Sequence, residues 1–379
     1  MATHGARAAR PDAVRARARE TLNQLRGRID ELDGRILALL GERYQVIEEV
    51  QRVKQDSGDG VYAPARERAQ LARLERLNRE LPRPLRPEWV RSIFGEILSA
   101  SRALQAPLTV AYLGPAGTYS EHAAVAQFGS SAKLVPVASI PEVFRAVERE
   151  QARLGIVPIE NSTDGMVGAT LDALATTPLR IVAEREMPIR HALLSRSSRL
   201  SDVKRVFSHP QSLGQCRDWL ARHLPDVPTV EMASNAAAAE AAARRAGAAA
   251  IASRETAERY RLRVLADSIQ DLARNVTRFV VLAPPAEGHE PGADKVSVLF
   301  SVRNEPGRLF EALKPLAQNE IDLCKLESRP MRGRPWEYLF FVDFRGEIDS
   351  PRVKRAMAAM ERDCLWFKVL GTYAEAIGA

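Results

Sequence analysis

Ile159-Glu-Asn-Ser162 and Asn275-Val-Thr-Arg-Phe279 are the second and last of four short strings, with Gly114-Pro-Ala-Gly-Thr-Tyr-Ser120 opening the series and Ser208-His-Pro-Gln-Ser212 standing third. Each sets small or hydroxylated residues beside a Gly, a Pro or a strand end, where backbone N–H groups and hydroxyls converge on a compact polar anion. A lone Gly-Pro-x-Gly is a turn; four such strings in series between residues 114 and 279 describe a site. Around them, short apolar runs such as Leu108-Thr-Val-Ala-Tyr-Leu113 alternate with helical segments, an α/β pattern.

Outward from this block the texture changes twice. Residues 21–105 are strongly helical, with a Pro-rich turn at Leu81-Pro-Arg-Pro-Leu-Arg-Pro87, and Ala283-Pro-Pro-Ala-Glu-Gly-His-Glu-Pro-Gly292 precedes a βαββαβ pattern. The expected organisation is a disordered basic extension at 1–20 (Arg7, Arg10, Arg15, Arg17, Arg19), a helical domain at 21–105, an α/β domain at 108–283, a linker at 284–293 and an α+β domain at 294–379. A chain of 379 residues, 45% of them hydrophobic, is long enough to bury a core in each. No apolar run approaches the roughly 20 residues of a membrane span, and the N-terminus lacks an apolar leader, so the cytoplasm is expected. Cys216, Cys324 and Cys364 are odd in number and widely spaced, which argues against a disulfide framework or a zinc cluster and for reduced packing residues. No metal is expected. The net charge of +7 suits small anions. The tract Ala236 to Ala250, after Ser234-Asn235, predicts one alanine-rich helix with an N-cap.

Leu22, Leu25, Ile29, Leu32, Ile36, Leu39, Val46, Val50 and Val53 recur at three- and four-residue spacing and predict a buried stripe on a long helix. Arg43 interrupts it. Lys54 falls on nearly the same face, about 16 Å along the axis. A buried cation costs several kcal/mol unless paired, so a partner anion is expected: either an internal carboxylate, Glu67 or Glu42, or a ligand.

Leu25-Arg-Gly-Arg-Ile-Asp-Glu-Leu-Asp33, Leu40-Gly-Glu-Arg43, Lys54, Arg66-Glu-Arg68 and the pair Ser101 and Gln105 resemble the all-helical chorismate mutase family. The resemblance implies three helices intertwined with a second copy. It puts Arg26 of one subunit and Arg43 of the other on the two substrate carboxylates, with Lys54 and Gln105 donating to the ether oxygen. Glu67 binds the ring hydroxyl, and Arg66 and Ser101 complete the shell. Arg26 lies about a quarter turn off the Arg43/Lys54 face, which lets it serve a neighbouring site. A Claisen rearrangement needs a compact conformer and donors aimed at charge building on the ether oxygen, and cations with an amide supply that. Ala63 stands where some members carry an aspartate.

The four strings together resemble the prephenate dehydratase family. That implies two α/β lobes of the periplasmic-binding-protein type with prephenate in the cleft. The hydroxyl of Thr277 assists departure of the ring hydroxyl as water while the carboxylate leaves as CO2, and Arg278 faces a substrate carboxylate. Glu160, Asn161, Ser162, Thr118, Ser120, Ser208 and Gln211 line the cleft. From the residues alone, Asn161-Ser162 also reads as a helix cap, and His209 and His191 read as structural. Lys295 onward resembles the ACT family of ferredoxin-like amino-acid sensors. Pro306, Gly307, Arg308 and Leu309, with Glu327, Ser328, Arg329 and Pro330, are its implied phenylalanine-binding motifs, Arg308 standing where an alanine is usual.

These resemblances together imply a bifunctional enzyme that converts chorismate to prephenate and prephenate to phenylpyruvate, inhibited by phenylalanine. It would be a homodimer or higher homo-oligomer without cofactor, nucleic-acid or membrane partner. Three alternatives stay open: a preference for arogenate, a non-catalytic sensor of aromatic metabolites, and a last domain that dimerises without ligand.

Overall fold

The structure, a computed structural model, describes residues 11–57, 62–285, 292–331 and 337–376, with side chains from residue 19 onward in the first helix and up to residue 53. It divides into two units, residues 1–61 and 62–379. In the first, α1 (Pro11–Ser57) is one 47-residue helix. Residues 11–20, expected to be disordered, belong to this helix, because Ala and Arg are strong helix formers. The expected buried stripe is exposed in the single chain: Ile29 is 55% and Leu39 62% accessible. A stripe buries only against a facing element, and among the described residues of its own unit α1 has none.

The second unit opens with α2 (Pro64–Arg79) and α3 (Pro87–Gln105), each started by a proline at its first turn, where the missing N–H costs nothing. Asn78 fixes the hairpin by donating to the carbonyl of Leu85 and accepting from its N–H at 2.8 and 2.9 Å. The first α/β lobe follows as β1 (Thr109–Leu113), α4 (Tyr119–Phe128), β2 (Lys133–Val137), α5 (Ile140–Glu148), β3 (Leu154–Asn161), β4 (Gly165–Met166), α6 (Gly168–Thr176) and β5 (Arg180–Pro188). The second lobe comprises β6 (Ala192–Ser195), β7 (Arg205–Ser208), α7 (Pro210–Gln215), α8 (Arg217–His223), β8 (Thr229–Glu231), α9 (Asn235–Ala243), β9 (Ala248–Ala252), α10 (Thr256–Tyr260) and β10 (Arg263–Ala266). Its sheet runs β10-β6-β9-β7-β8. The alanine tract is therefore split: Ser234 caps α9, Gly247 at φ +69° breaks the chain, and Ala248–Ala252 form a fully buried central strand. The chain crosses back to the first lobe as β11 (Val276–Ala283), antiparallel between β3 and β5.

The C-terminal domain is β12 (Lys295–Ser301), α11 (Arg308–Gln318), β13 (Leu323–Pro330), β14 (Tyr338–Arg345), α12 (Pro351–Asp363) and β15 (Trp366–Tyr373), the expected βαββαβ order. Its sheet is continuous with that of the first lobe, in the order β13-β14-β12-β15-β5-β11-β3-β1-β2. The joint is the parallel pairing of Gly371 with Ile181. Only glycine fits there, since a Cβ would lie 2.0 Å from the Ile181 carbonyl oxygen. Cys216 is buried, whereas Cys324 is exposed rather than packed; all three thiols are free.

Candidate active sites

β3 and β11 end side by side, with Asn161 opposite Thr277 and Glu160 opposite Arg278. Strand side chains alternate between faces, so the first pair and the second point in opposite directions. Asn161 and Thr277 face the cleft between the lobes. The Asn161 amide donates from Nδ2 to Thr277 Oγ1 and to Asn275 Oδ1, both at 2.8 Å, while its Oδ1 accepts from Thr163 Oγ1 and from the backbone of Thr163 and Asp164. With its oxygen lone pair engaged by that donor, the Thr277 hydroxyl has its proton available to donate.

From the second lobe, Gln211 and Gln215 each donate through Nε2 to Asp164 Oδ2, at 2.6 and 2.8 Å. Gln215 is oriented by two donors to its Oε1, Asn275 Nδ2 at 3.1 Å and the ring of His191 at 2.8 Å. The other ring nitrogen of His191 meets the hydroxyl of Tyr119 at 3.0 Å. Burial holds the His191 imidazole below its ordinary value, partly offset by Gln215, and lifts the Tyr119 hydroxyl well above its own. The cleft is thus spanned by neutral donors that converge on one carboxylate.

The remaining expected cleft residues serve local structure. Thr118 caps α4, accepting from Glu121 N and donating to Leu113 O, and Glu121 returns an acceptor to Gly117 N, a reciprocal cap. Ser120 is buried in the first turn of α4. Ser162 accepts from Val276 N, and Ser208 donates within the second lobe to Asn235 or the Ile251 carbonyl. His209 caps α7 through Gln211 N.

Arg278 and Glu160 correct the expectation. Neither faces the cleft. Arg278 is 8% exposed and turned into the C-terminal domain, with Nη1 2.5 Å from Asp343 and 3.3 Å from Glu184, and Nη2 3.4 Å from Glu160. Glu160 in turn receives Lys325 at 2.5 Å. Burial works against the charged guanidinium, but Asp343, Tyr373 and Glu184 outweigh it and hold Arg278 firmly protonated. Lys295 closes the cluster on Glu184 at 2.9 Å.

On the mutase side, Arg26 and Arg43 lie on α1, and the side chain of Lys54 lies outside the described residues. In the other unit Glu67 accepts from Arg102 at 2.5 Å, and Arg102 also donates to the Phe128 carbonyl. Arg66 is exposed, Ser101 is buried and bonds back to Ile97 O, and Gln105 donates to Ser101 O.

In the C-terminal domain Gly307, at φ +82°, starts α11, Arg308 pairs with Glu305, and Leu309 packs on the domain core after Pro306. On β13, alternation separates the implied motif. Ser328 and Pro330 are exposed, while Glu327 and Arg329 share the half-buried face with Lys325. Arg329 is bidentate on Asp172 of α6, so its role as an effector ligand is corrected to one of domain docking. Asn275, Thr163, Asp164, Gln215, His191 and Tyr119 were not anticipated as a cluster. The available signal was Gln215, one helical turn beyond Gln211, and Thr163-Asp164 directly after Asn161-Ser162. Among the described residues no group of His, Cys, Asp and Glu is placed to hold a metal ion, and no helix is long and apolar enough to cross a membrane.

Comparison with known proteins assigns each of the three segments to a family. Residues 25–106 match chorismate mutase type II, 110–287 prephenate dehydratase and 296–362 the ACT domain. A bifunctional chorismate mutase/prephenate dehydratase of Stutzerimonas stutzeri is 42% identical, and one of Aquifex aeolicus 39% identical, each match covering 94% of this chain and 99% of the relative. The prephenate dehydratase of Arthrobacter aurescens, solved in complex with L-Phe, is 36% identical, with a TM-score of 0.65 over 71% of this chain and 90% of that one. With three matched domains in this order and both relatives covered almost end to end, the chain belongs to the bifunctional chorismate mutase/prephenate dehydratase family.

Proposed function

We propose that this chain converts chorismate to prephenate on its helical domain and prephenate to phenylpyruvate in the two-lobed cleft, under inhibition by phenylalanine at the ACT domain. The observation that carries the dehydratase reading is the 2.8 Å contact from Asn161 Nδ2 to Thr277 Oγ1. The donated hydrogen bond polarises the Thr277 hydroxyl, whose proton passes to the ring hydroxyl as that group leaves as water. The C–CO2 bond breaks in the same step, and its electron pair completes the aromatic ring. Threonine is a weak acid, but loss of CO2 and aromatisation supply the driving force, so orientation with modest proton donation suffices. Solvent restores the proton. Gln211 and Gln215 hold the substrate's polar ends.

On the helical domain, Arg26 and Arg43 hold the two carboxylates of chorismate, Lys54 and Gln105 meet the developing charge on the ether oxygen, and Glu67, Arg66 and Ser101 fix the ring. Two chains share each such site. The exposed apolar stripe of α1, from Leu22 to Val53, supports a homodimer or higher homo-oligomer, because a patch of this extent marks a partner surface. Ser328 and Pro330 on the open face of β13, with the turn at Pro306 to Leu309, take the effector. The cytoplasm is the proposed location.

The test follows chorismate, prephenate and phenylpyruvate together. With Thr277→Ala, chorismate should still be consumed and prephenate should accumulate; near-normal phenylpyruvate formation would remove Thr277 from the mechanism.

A further inference from the structure

The structure assigns Asp343 and Lys325, two residues of the C-terminal domain, as positioning residues of the dehydratase site, acting through Arg278 and Glu160. The assignment rests on the reading of Asn161 and Thr277 as the reacting pair. Those two residues are cross-strand neighbours, and the residue immediately before Asn161 and the one immediately after Thr277 are the two gripped from behind. Lys325 Nζ lies 2.5 Å from Glu160, and Asp343 Oδ2 lies 2.5 Å from Arg278. Asp343 is itself immobilised, since its other oxygen accepts from Ser297, which bonds to the hydroxyl of Tyr373.

The charges of the cluster match only when both domains contribute. The dehydratase lobe brings Arg278 with Glu160 and Glu184, and the C-terminal domain brings Asp343 with Lys295 and Lys325. Glu375, 4.0 Å from Lys295, is paired separately with Arg345. Asp343 and Glu184 have side chains only 0% and 1% exposed, so solvent cannot substitute for a missing partner. Without Lys325 or Asp343, the ends of β3 and β11 lose the contacts that fix them from behind. The Asn161–Thr277 hydrogen bond then loses its geometry, and a displacement of about 1 Å at a reacting group costs up to roughly 100-fold in rate. β13, which carries Lys325, also carries the exposed Ser328 three residues on, which places the grip and the implied effector surface on one strand.

The test uses the full chain and steady-state kinetics of both reactions. Asp343→Asn removes a buried charge and risks misfolding, so the primary variant is Lys325→Met, at a side chain 26% exposed. It should lower dehydratase kcat by about tenfold while KM for prephenate stays within about twofold and the mutase rate is unchanged. Lys325→Arg should restore most of the loss, and Glu160→Gln combined with Lys325→Met should be no worse than either alone. Unchanged dehydratase kcat, a rise in KM alone, or an equal fall in both activities would overturn the assignment. Thr277→Ala, assayed beside them, separates the two failures. If it keeps dehydratase activity, the reacting pair is wrong; if it is inactive while Lys325→Met is normal, the positioning role is wrong.

Discussion

Replacing Gly371 with alanine tests whether the C-terminal domain and the first lobe form one sheet. The new methyl carbon would lie 2.0 Å from the Ile181 carbonyl oxygen and 2.8 Å from its carbonyl carbon and nitrogen, where ordinary contacts begin at 3.4 Å. All three obstructing atoms are backbone, so no rotamer change relieves them, and β15 must withdraw from β5 by more than 1 Å. That withdrawal also draws on the contacts beside the joint, where Lys368 donates to the Leu174 carbonyl at the end of α6 and Lys295 meets Glu184. Overpacking costs about 1–3 kcal/mol where some relaxation is available; two opposed backbones put Gly371→Ala at the upper end, about 3 kcal/mol. At roughly 2–4 °C per kcal/mol for a module of this size, the melting temperature should fall by about 6–12 °C. Scanning calorimetry reads the shift, and hydrogen exchange should show faster exchange in β5 and β15. Gly214→Ala, where a Cβ meets nothing within 4 Å inside α7, serves as a control and should leave stability unchanged or raise it by up to about 1 kcal/mol. A Gly371→Ala chain that melts within about 2 °C of the parent would refute the continuous sheet.

Asp164→Ala frees the two glutamine donors that its carboxylate occupies, and KM for prephenate should fall by about fivefold, roughly 1 kcal/mol, in initial-rate assays; a rise would make Asp164 a substrate contact. The His191 ring is held below the ordinary 6.5, so the unfolded chain takes up the proton first as pH falls. Its contribution to stability is therefore full above 6.5 and lost as pH descends toward the lowered folded value, and His191→Gln should flatten that decline in denaturant midpoints measured from pH 7.5 to 5.5. Arg26→Ala and Arg43→Ala should each lose mutase activity by roughly 10² or more, and co-refolded mixed dimers should regain it because one of their sites contains both arginines. Demonstrated heterodimers without recovery would exclude a shared site.

Much of this was legible in the chain. The order of the four strings, the change of texture after Gln105 and the Pro- and Gly-rich stretch after Ala283 carried the three-domain organisation, because Pro, Gly and apolar periodicity act locally. What was not legible depends on direction. Thr277-Arg278 reads as one motif, yet a strand sends adjacent side chains to opposite faces, and the face Arg278 meets is built by residues far along the chain, Asp343 and Glu184. Arg329 escaped for the same reason, its partner Asp172 lying in another domain. The tract Ala236 to Ala250 reads as one helix, yet its last three residues belong to the strand Ala248–Ala252, where full burial among strands overrides the helical preference of alanine.

The continuous sheet redraws the moving parts of the molecule. By sequence, the break lies at the linker after Ala283; mechanically, it lies at the two crossings near Ile189 and Asn275, where Ile189 N bonds to Asn275 O. The first lobe and the C-terminal domain share one sheet, whereas the second lobe, residues 192–266, has a five-stranded sheet of its own, so a closure of the cleft would carry the second lobe against a platform made of both. Fluorophores at Glu150 and Arg355 would then keep a fixed separation through the catalytic cycle, whereas a pair at Glu150 and Arg222 would report each opening and closing. A ligand held by the C-terminal domain would lie on the same sheet as the first lobe, so its influence on the cleft would run through that shared sheet rather than through the second lobe.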